Sequence, residues 1–349
     1  MRLLLIKTSS LGDVIHTFPA LSDARQAWPE LRIDWVVEEA YADLAALHPA
    51  VDQVIPVALR RWRRQPWSAS TRQAWAAYRQ ALRRQPYDRV IDAQGLLKSA
   101  FLMCQVPQPA VRMGYDRASL REPLAALFYQ RHYSVARSMH AVERTRQLLA
   151  QALSYERQGR GRYGLQVPVQ PAYLGAIWLL HGSTWPTKLW PLASWRALAA
   201  KLSERGHELL LPYGDAAEHE RAQAIIDGLP GARLWPAGRL SELAGALAGA
   251  RAVVGVDTGL SHLAAALDRP VLALFGATDR ERTGIYGEQV RHLSAGLPCQ
   301  PCLQERCRLQ PRAEAGQAWP PCMAALTPDQ VLRALEQLLQ TGDAPAQLP

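Results

Sequence analysis

Long hydrophobic runs are missing from the 349-residue chain: no stretch approaches the roughly 18–20 apolar residues that span a bilayer. The short run 3–6 ends at the polar Lys7, Thr8, Ser9 and Ser10, too soon for a secretory leader. A cytoplasmic protein is expected, one that meets a membrane only from its surface. Cysteine is scarce, five residues in all, and a stable disulfide is disfavoured in a reducing compartment. A D-x-D pair is missing altogether, so the metal-bridged diphosphate site that such a pair builds has no candidate. Neither a metal nor a cofactor is expected. The turn after the first apolar run also lacks both G-x-G-x-x-G and a G-K-[ST] phosphate loop. What that turn holds instead, in "KTSSLGDVIH" (7–16), is one glycine and one carboxylate, Asp13.

The composition is that of a folded protein, 48% hydrophobic and 20% charged, and the length suits two domains of ordinary size. Lys and Arg number 40 against 31 Asp and Glu, a net charge of +9, with a sequence pI near 9.6. Such an excess favours anionic partners: nucleic acid, anionic lipid or phosphorylated substrates. Apolar runs alternate with helical patterns, which predicts parallel, doubly wound α/β sheets. In the first half, strands are expected near 2–6, 32–37, 51–57, 88–92 and 111–114, with helices near 13–27, 70–85, 96–104, 119–128 and 139–154. The Gly, Pro and Arg-rich stretch 156–173 reads as a linker. The pattern restarts with a strand at 175–180 and a helix that Pro191 opens and Gly206 closes. Strands follow near 208–212, 232–235, 252–256 and 271–275, then a last helix near 327–339 and a frayed tail, 341–349. The expected domains are 1–160 and 172–326, with a closing helix and tail, 327–349. Two such sheets facing across a cleft would bind two substrates, one on each domain.

The second half offers an anion site. In "AVVGVDTGLSHLAAAL" (252–267) a buried strand ends at Asp257 and a helix begins near Gly259. Thr258 supplies a hydroxyl, Gly259 lets a ligand approach the backbone, and first-turn amides point outward. His262 adds a donor or a positive charge. Asp257 repels phosphate, and its plain role is a helix N-cap. In "HGSTWPTKLWP" (181–191), Ser183 and Thr184 carry hydroxyls, and Lys188 either neutralises a phosphate or stands as a solvated surface cation. Glu218, in "PYGDAAEHE", is placed to accept from ribose hydroxyls or is simply a solvated helix residue.

The first half carries cations. "VALRRWRRQPW" (57–67) sets Arg60, Arg61, Arg63 and Arg64 around Trp62. Such a run is either a solvated face or a bidentate clamp for phosphates and carboxylates, with Lys98 and Arg121 converging on it. An aromatic between arginines also suits single-stranded nucleic acid, but no RNA-binding module accompanies it, so no nucleic-acid partner is expected. Four cysteines, Cys299, Cys302, Cys307 and Cys322, cluster late in the chain. Only the first pair has metal-site spacing, and packed loop thiols are the preferred reading over a zinc or iron–sulfur site.

Several of these segments in order, "KTSSLGDVIHTFPAL", "IDWVVEEAY", "VIPVALRRWRR", "VIDAQGLLKSA", "REPLAALFY", "HAVERTRQLL" and "VDTGLSHLAAALDRP", resemble the lipopolysaccharide heptosyltransferases. The resemblance covers nearly the whole chain. It implies a glycosyltransferase B fold of two Rossmann-like domains and inverting transfer of L-glycero-D-manno-heptose from ADP-heptose to Kdo-lipid A. It implies Asp13 as catalytic base and Lys188 as a charge stabiliser at the departing ADP. Ser183, Thr184, Lys188, Glu218, Asp257, Thr258, Gly259 and His262 would hold the donor. Ser10, Arg60, Arg61, Arg63, Arg64, Lys98 and Arg121 would hold the acceptor and help the protein meet the anionic inner-membrane surface. The segment "PCQPCLQERCRL…PPC" is closer to the branch of the family that transfers to an already heptosylated core. Two rivals differ in kind. An epimerase or phosphorylase of nucleotide sugars leaves the arginine loop without a use. A non-enzymatic polyanion-binding protein would show a steep salt dependence and ignore ADP sugars.

Overall fold

In the computed structural model, which describes residues 1–342 except 237, 310, 311, 315 and 316, the chain divides into two units, Met1–Gln166 and Val167–Pro349. Of the expected tail, 343–349 lies outside the described residues. The first unit is built on β1 (Arg2–Ile6), β2 (Arg32–Glu38), β3 (Gln53–Val57), β4 (Arg89–Asp92), β5 (Val111–Tyr115) and β6 (Arg131–Tyr133). They lie in the order β3-β2-β1-β4-β5-β6, and every neighbouring pair is parallel. Leu3, Leu4, Leu5 and Ile6 of β1 are all fully buried. A central parallel strand is covered on both faces, which is why its sequence is a continuous apolar run rather than an alternation.

The second unit repeats this plan with β7 (Ile177–Leu180), β8 (Leu209–Pro212), β9 (Ala232–Trp235), β10 (Ala252–Val256), β11 (Val271–Phe275) and β12 (Val290–Ser294). The order is β12-β11-β10-β7-β8-β9, again parallel throughout. In both sheets the first strand sits beside the fourth, the arrangement of a doubly wound nucleotide-binding sheet. A small antiparallel hairpin, β13 (Arg312–Glu314) and β14 (Gln317–Trp319), follows.

Each sheet has a sixth strand that the apolar pattern did not show. β6 is three residues long with two of them exposed, and β12 is only half-buried. Both close a sheet edge, where one side of the strand has no neighbour to favour apolar residues. The single helix expected at 13–27 is two, Leu11–Ile15 and Phe18–Ala27. Pro19 lies in the first turn of the second, where its missing N–H leaves no bond unmade. The expected helix at 119–128 shrinks to a 3₁₀ segment, Pro123–Phe128.

Arg146, 1% exposed, ties the start of the linker to the first unit. It donates to the carbonyls of Gln158 (3.1 Å) and Gly159 (3.2 Å) and pairs with Asp23 and Glu143. The closing helix, Pro328–Gly342, does not stand apart from the second unit. Its Val331, Leu332, Leu335 and Leu338 pack in one core with Trp190, Trp195 and strands β10 and β11. Trp190 Nε1 donates to the Leu326 carbonyl at 3.0 Å. Leu335→Ala should therefore cost about 2–5 kcal/mol in urea unfolding. A loss within about 0.5 kcal/mol, as for an exposed position, would contradict the packing.

Candidate active site

In the first unit the strand order reverses between β1 and β4, so the loops leaving their carboxyl ends border a crevice. Lys7, directly after β1, is buried. Its ammonium donates to the Ala93 carbonyl (3.2 Å) and pairs with Asp13 Oδ1 (3.2 Å). Asp13 Oδ2 accepts from the Ser10 amide at 2.7 Å and from its hydroxyl at 3.3 Å, the first-turn arrangement of a capping box. The Asp13 side chain nevertheless stays 37% exposed. It is a carboxylate fixed in orientation and open to a ligand.

The loop after β4 holds this turn in place. Gln94 Oε1 accepts the Thr8 amide (3.0 Å) and the Ser9 amide (3.1 Å). Gln94 is itself set by Asp92, a wholly buried carboxylate at the end of β4. Asp92 accepts from the Gln94 and Gly95 amides, the Ser99 hydroxyl and the Tyr129 hydroxyl, at 2.8–3.0 Å. Burial pushes its carboxyl above the usual range against those four donors. Gly95 takes a positive φ of 70°, and a side chain there would strike Leu120.

The arginine run forms the helix Leu59–Arg64. Buried Glu38, at the end of β2, accepts the amides of Leu59 (3.3 Å) and Arg60 (3.2 Å), which supplies negative charge to the helix N-terminus. Trp62 turns inward, edge-on to Trp75 at 5.6 Å. Arg60 and Arg63 line a cavity of about 670 Å³ together with Ser9, Lys98, Trp75 and Phe101. Lys98 donates to the Ser9 hydroxyl at 3.0 Å, so the cavity reaches the turn that carries Asp13. Ser10 stands in that turn, exposed. The other candidates are placed differently. Arg61 pairs with Glu39 (2.8 Å) at the surface, and Arg64 and Arg121 are exposed side chains that do not line this cavity.

In the second unit the reversal falls between β7 and β10. Asp257, directly after β10, is buried and gathers three partners. Oδ2 meets Lys188 Nζ (2.8 Å) and the Thr278 hydroxyl (2.7 Å), and Oδ1 faces His262 Nε2 (3.4 Å). Burial by itself would raise its carboxyl; His262 and Lys188 outweigh that and hold it well below the usual carboxylate range. The N-cap role open to Asp257 belongs to Thr258, which precedes the helix Gly259–Ala266. Lys188 is likewise no solvated cation: it is 19% exposed, paired, and 5.1 Å over the Trp185 ring. One proton of its ammonium goes to Asp257, which leaves two for a ligand.

Beside this cluster, Glu218 Oε2 accepts the Gly214 amide at 2.7 Å. A side chain at Gly182 would run into the Glu218 carboxylate. Gly182 and Glu218 border two adjoining cavities. One, of about 170 Å³, has Trp235, Leu240 and Thr258 in its wall. The other, of about 520 Å³, is lined by Ser183, Thr184 and Arg221. Arg221 is partly buried over the Trp319 ring at 4.9 Å, and burial lowers its guanidinium to about 10 despite Glu218. Gln94, Glu38, Gly182, Arg221 and Thr278 escape sequence reasoning because each acts on a partner remote in the chain, and Lys7 because nothing local marks its pairing with Asp13 six residues on. Lys7, Glu38, Gln94 and Gly182 do lie inside the motifs already quoted.

The cysteine loop lies closer to this site than its place in the sequence suggests. Thr187, beside Lys188, donates to the Gln304 carbonyl at 2.7 Å, and the Leu303 amide donates to Ala277 at 2.8 Å. None of the five cysteines is in a disulfide. Cys322 packs in the core, its thiol pushed up to about 11 by burial and by nearby Cys299, Cys307 and Cys302. Among the described residues, no group of three or more His, Cys, Asp or Glu side chains is arranged to hold a metal ion.

Residues 75–313 match glycosyltransferase family 9 (heptosyltransferase). The chain is 52% identical to lipopolysaccharide heptosyltransferase 1 of Pseudomonas aeruginosa over 97% of this chain and 98% of that protein. It is 46% identical to the Salmonella typhimurium protein of the same name over 82% and 92%. Its fold matches E. coli heptosyltransferase WaaC with ADP at a TM-score of 0.85 and 40% identity, covering 97% and 100%. E. coli ADP-heptose lps heptosyltransferase II, at 22% identity and a TM-score of 0.76 over 99% and 100%, shares the fold.

Two buried histidines give a pH signature. Burial, with Arg221 adding, lowers His181 to about 4, and burial with Arg25 does the same to His48. The unfolded chain takes up these protons near 6.5 while the folded chain refuses them. The stability they contribute is therefore complete above pH 6.5 and is lost as pH falls through about 4. Unfolding free energy should drop by roughly 1–2 kcal/mol per histidine between pH 7 and 5. Two imidazole signals should stay neutral at pH 5 by NMR; titration of all nine histidines above pH 6 would contradict it.

Proposed function

The chain belongs to glycosyltransferase family 9, the heptosyltransferases, and on that premise we propose that it transfers L-glycero-D-manno-heptose from ADP-heptose to a Kdo residue of Kdo-lipid A. One observation carries the choice within the family. Identity to a lipopolysaccharide heptosyltransferase 1 is 52% across 97% of the chain, against 25% across 99% for E. coli lipopolysaccharide heptosyltransferase 2. The likeness of the cysteine segment to the second branch is local beside that difference.

The second unit takes the donor. The wall of Trp235 and Leu240 suits a planar adenine, and Glu218 accepts from the ribose hydroxyls with the oxygen that Gly214 leaves free. Ser183, Thr184 and Thr258 donate hydroxyls to the diphosphate. The Gly259 amide at the helix N-terminus and the two remaining protons of Lys188 stabilise charge on the departing ADP, as preorganised donors do. Asp257 and His262 hold Lys188 in register, so that its ammonium needs no reordering when the charge develops.

The first unit takes the acceptor. Arg60, Arg63 and Lys98 bind its phosphates and carboxylates, with Ser10 beside the reacting hydroxyl. That oxygen forms the new bond to the anomeric carbon while the bond to ADP breaks on the opposite face, which inverts the centre. Its proton passes to Asp13, whose carboxylate Lys7 and the Ser10 amide keep aimed. Because the acceptor is anchored in a leaflet, the enzyme works on the cytoplasmic face of the inner membrane as a peripheral protein. Among the described residues, no helix is long and apolar enough to cross one.

Incubation with ADP-heptose and Kdo-lipid A should give a heptosylated product by mass spectrometry; no product from the folded wild-type protein would remove the assignment. Asp13→Asn should lower kcat about 10²–10⁴-fold with melting temperature and ADP-heptose affinity unchanged. A folded, donor-binding variant with near-wild-type turnover would take Asp13 out of the chemistry. The arginines should separate. Arg60→Ala with Arg63→Ala should raise the acceptor KM about tenfold or more, the loss of charge-assisted bonds. Arg61→Ala with Arg64→Ala should change it by less than about threefold, since exposed pairs contribute little. Equal effects would mean that the cavity does not select among them.

A further inference from the structure

The first unit exposes large apolar side chains in one place. On the helix Leu97–Met103, Ser99, Ala100, Leu102 and Met103 turn inward while Leu97 and Phe101 face solvent, 41% and 55% exposed. On the 3₁₀ segment Pro123–Phe128, Ala125 and Ala126 are buried, and Leu124, Leu127 and Phe128 face solvent, with Leu127 79% exposed. A 3₁₀ turn brings residues three apart onto one side, so Leu124 and Leu127 present together. The two segments lie side by side, joined by the Leu97 amide donating to Glu122 Oε2 at 2.8 Å. Neither segment contains an Asp or Glu, and that bond occupies Glu122, the carboxylate directly before the second. Soluble proteins rarely expose contiguous apolar surface of this kind without a use for it.

We propose that Leu97, Phe101, Leu124, Leu127 and Phe128 form a membrane-docking surface that enters the boundary between headgroups and acyl chains of an anionic leaflet. Charge complementarity selects a bilayer over a second protein. Lys98 stands on the same helix as Leu97 and Phe101, and Arg121 lies two residues before the 3₁₀ segment, both exposed. Residues 53–87, whose arginine helix lines the adjoining cavity, carry eight arginines and neither Asp nor Glu. Apolar side chains ringed by cations bind where acyl chains lie beneath anionic headgroups. The surface is also continuous with the 670 Å³ cavity, because Phe101 and Lys98 line that cavity and Phe101 stacks on Trp75 at 5.5 Å. This inference deepens the proposed function and rests on its lipid-anchored acceptor: docking here sets the mouth of the arginine cavity at the headgroup level.

The test compares the wild-type protein with the double variant Leu124→Ser, Leu127→Ser. Both positions are exposed and neither lines the cavity, so folding and the site are left intact. Co-sedimentation with vesicles of phosphatidylglycerol and phosphatidylcholine, against phosphatidylcholine alone, reads docking without any catalysis. We expect the variant's partition coefficient on anionic vesicles to fall about tenfold or more, with wild-type binding weaker on neutral vesicles and at high salt. Turnover of a water-soluble, deacylated Kdo acceptor should be unchanged, while turnover of vesicle-embedded Kdo-lipid A falls. Full vesicle binding by the variant would overturn the proposal. So would a loss of self-association in analytical ultracentrifugation with vesicle binding unaltered, which would make the face an interface between copies. Wild-type vesicle binding that the variant loses, with neither acceptor turned over, would support the surface and overturn the acceptor assignment instead.

Discussion

Each sheet lays its second and third strands to one side of its first strand and then returns to lay the fourth, fifth and sixth on the other. Crossovers between parallel strands are right-handed, so the loops leaving the first and fourth strands at their carboxyl ends run to opposite faces and part from each other. That parting opens a crevice whose backbone groups are not consumed by the sheet. The chemistry proposed for this chain is centred there. In the first unit the borders are 7–13 and 93–95, with Asp13 in the former. In the second they are 181–188 and 257–262, which include Lys188 and Thr258. A different strand order with the same sequence motifs would scatter these groups.

Both crevices are organised by a buried carboxylate, with opposite electrostatics. Asp92 meets only neutral donors: two amides and two hydroxyls. Its work is mechanical, since it fixes Gln94, whose side-chain oxygen takes the two amides ahead of Asp13. Asp257 meets an ammonium and an imidazole. A buried charge without a partner is costly, so Asp257 and Lys188 hold one another in place, and the ammonium is preorganised before any ligand arrives. A carboxylate at the proposed diphosphate site looks wrong until its partner is seen. Its negative charge serves to aim a positive one.

The arginine helix of the first unit depends on a different balance. Arginines crowded on the helix Leu59–Arg64 repel one another, and two features of the fold make that tolerable. Buried Glu38 accepts the first amides of the helix and places negative charge at its start. Trp62 turns inward against Trp75, which in turn stacks on Phe101, so an aromatic floor fixes the cations from below. The remaining repulsion is relieved by solvent or by a polyanion. The same aromatic floor carries on into the apolar surface around Phe101, so under the proposed function recognition of the acceptor and contact with its leaflet would share one support.

Residues close in the chain, or repeated with a period, announced themselves. The apolar runs of ten strands, the two α/β halves, the helix starting after Thr258, the arginine run and the ordered family motifs are all readable without coordinates, because burial on both faces of a parallel strand and the geometry of a first helical turn leave local marks. The edge strands β6 and β12 left none, since half their surface is exposed and accepts polar residues. Partners distant in the chain were equally silent. Nothing in "KTSSLGD" says that Gln94, more than eighty residues on, receives the amides between Lys7 and Asp13. Nothing in "HGSTWPTK" says that Lys188 will meet Asp257 and that Thr187 will bind the cysteine loop. Arg60 and Arg63 look no different from Arg61 and Arg64 until the helix turns and Trp62 buries. Sequence determined which chemical groups the protein owns and which short segments are strand or turn. Tertiary structure alone decided which of those groups stand within hydrogen-bond reach, because that depends on strand order and helix rotation, and both follow from packing the whole core at once.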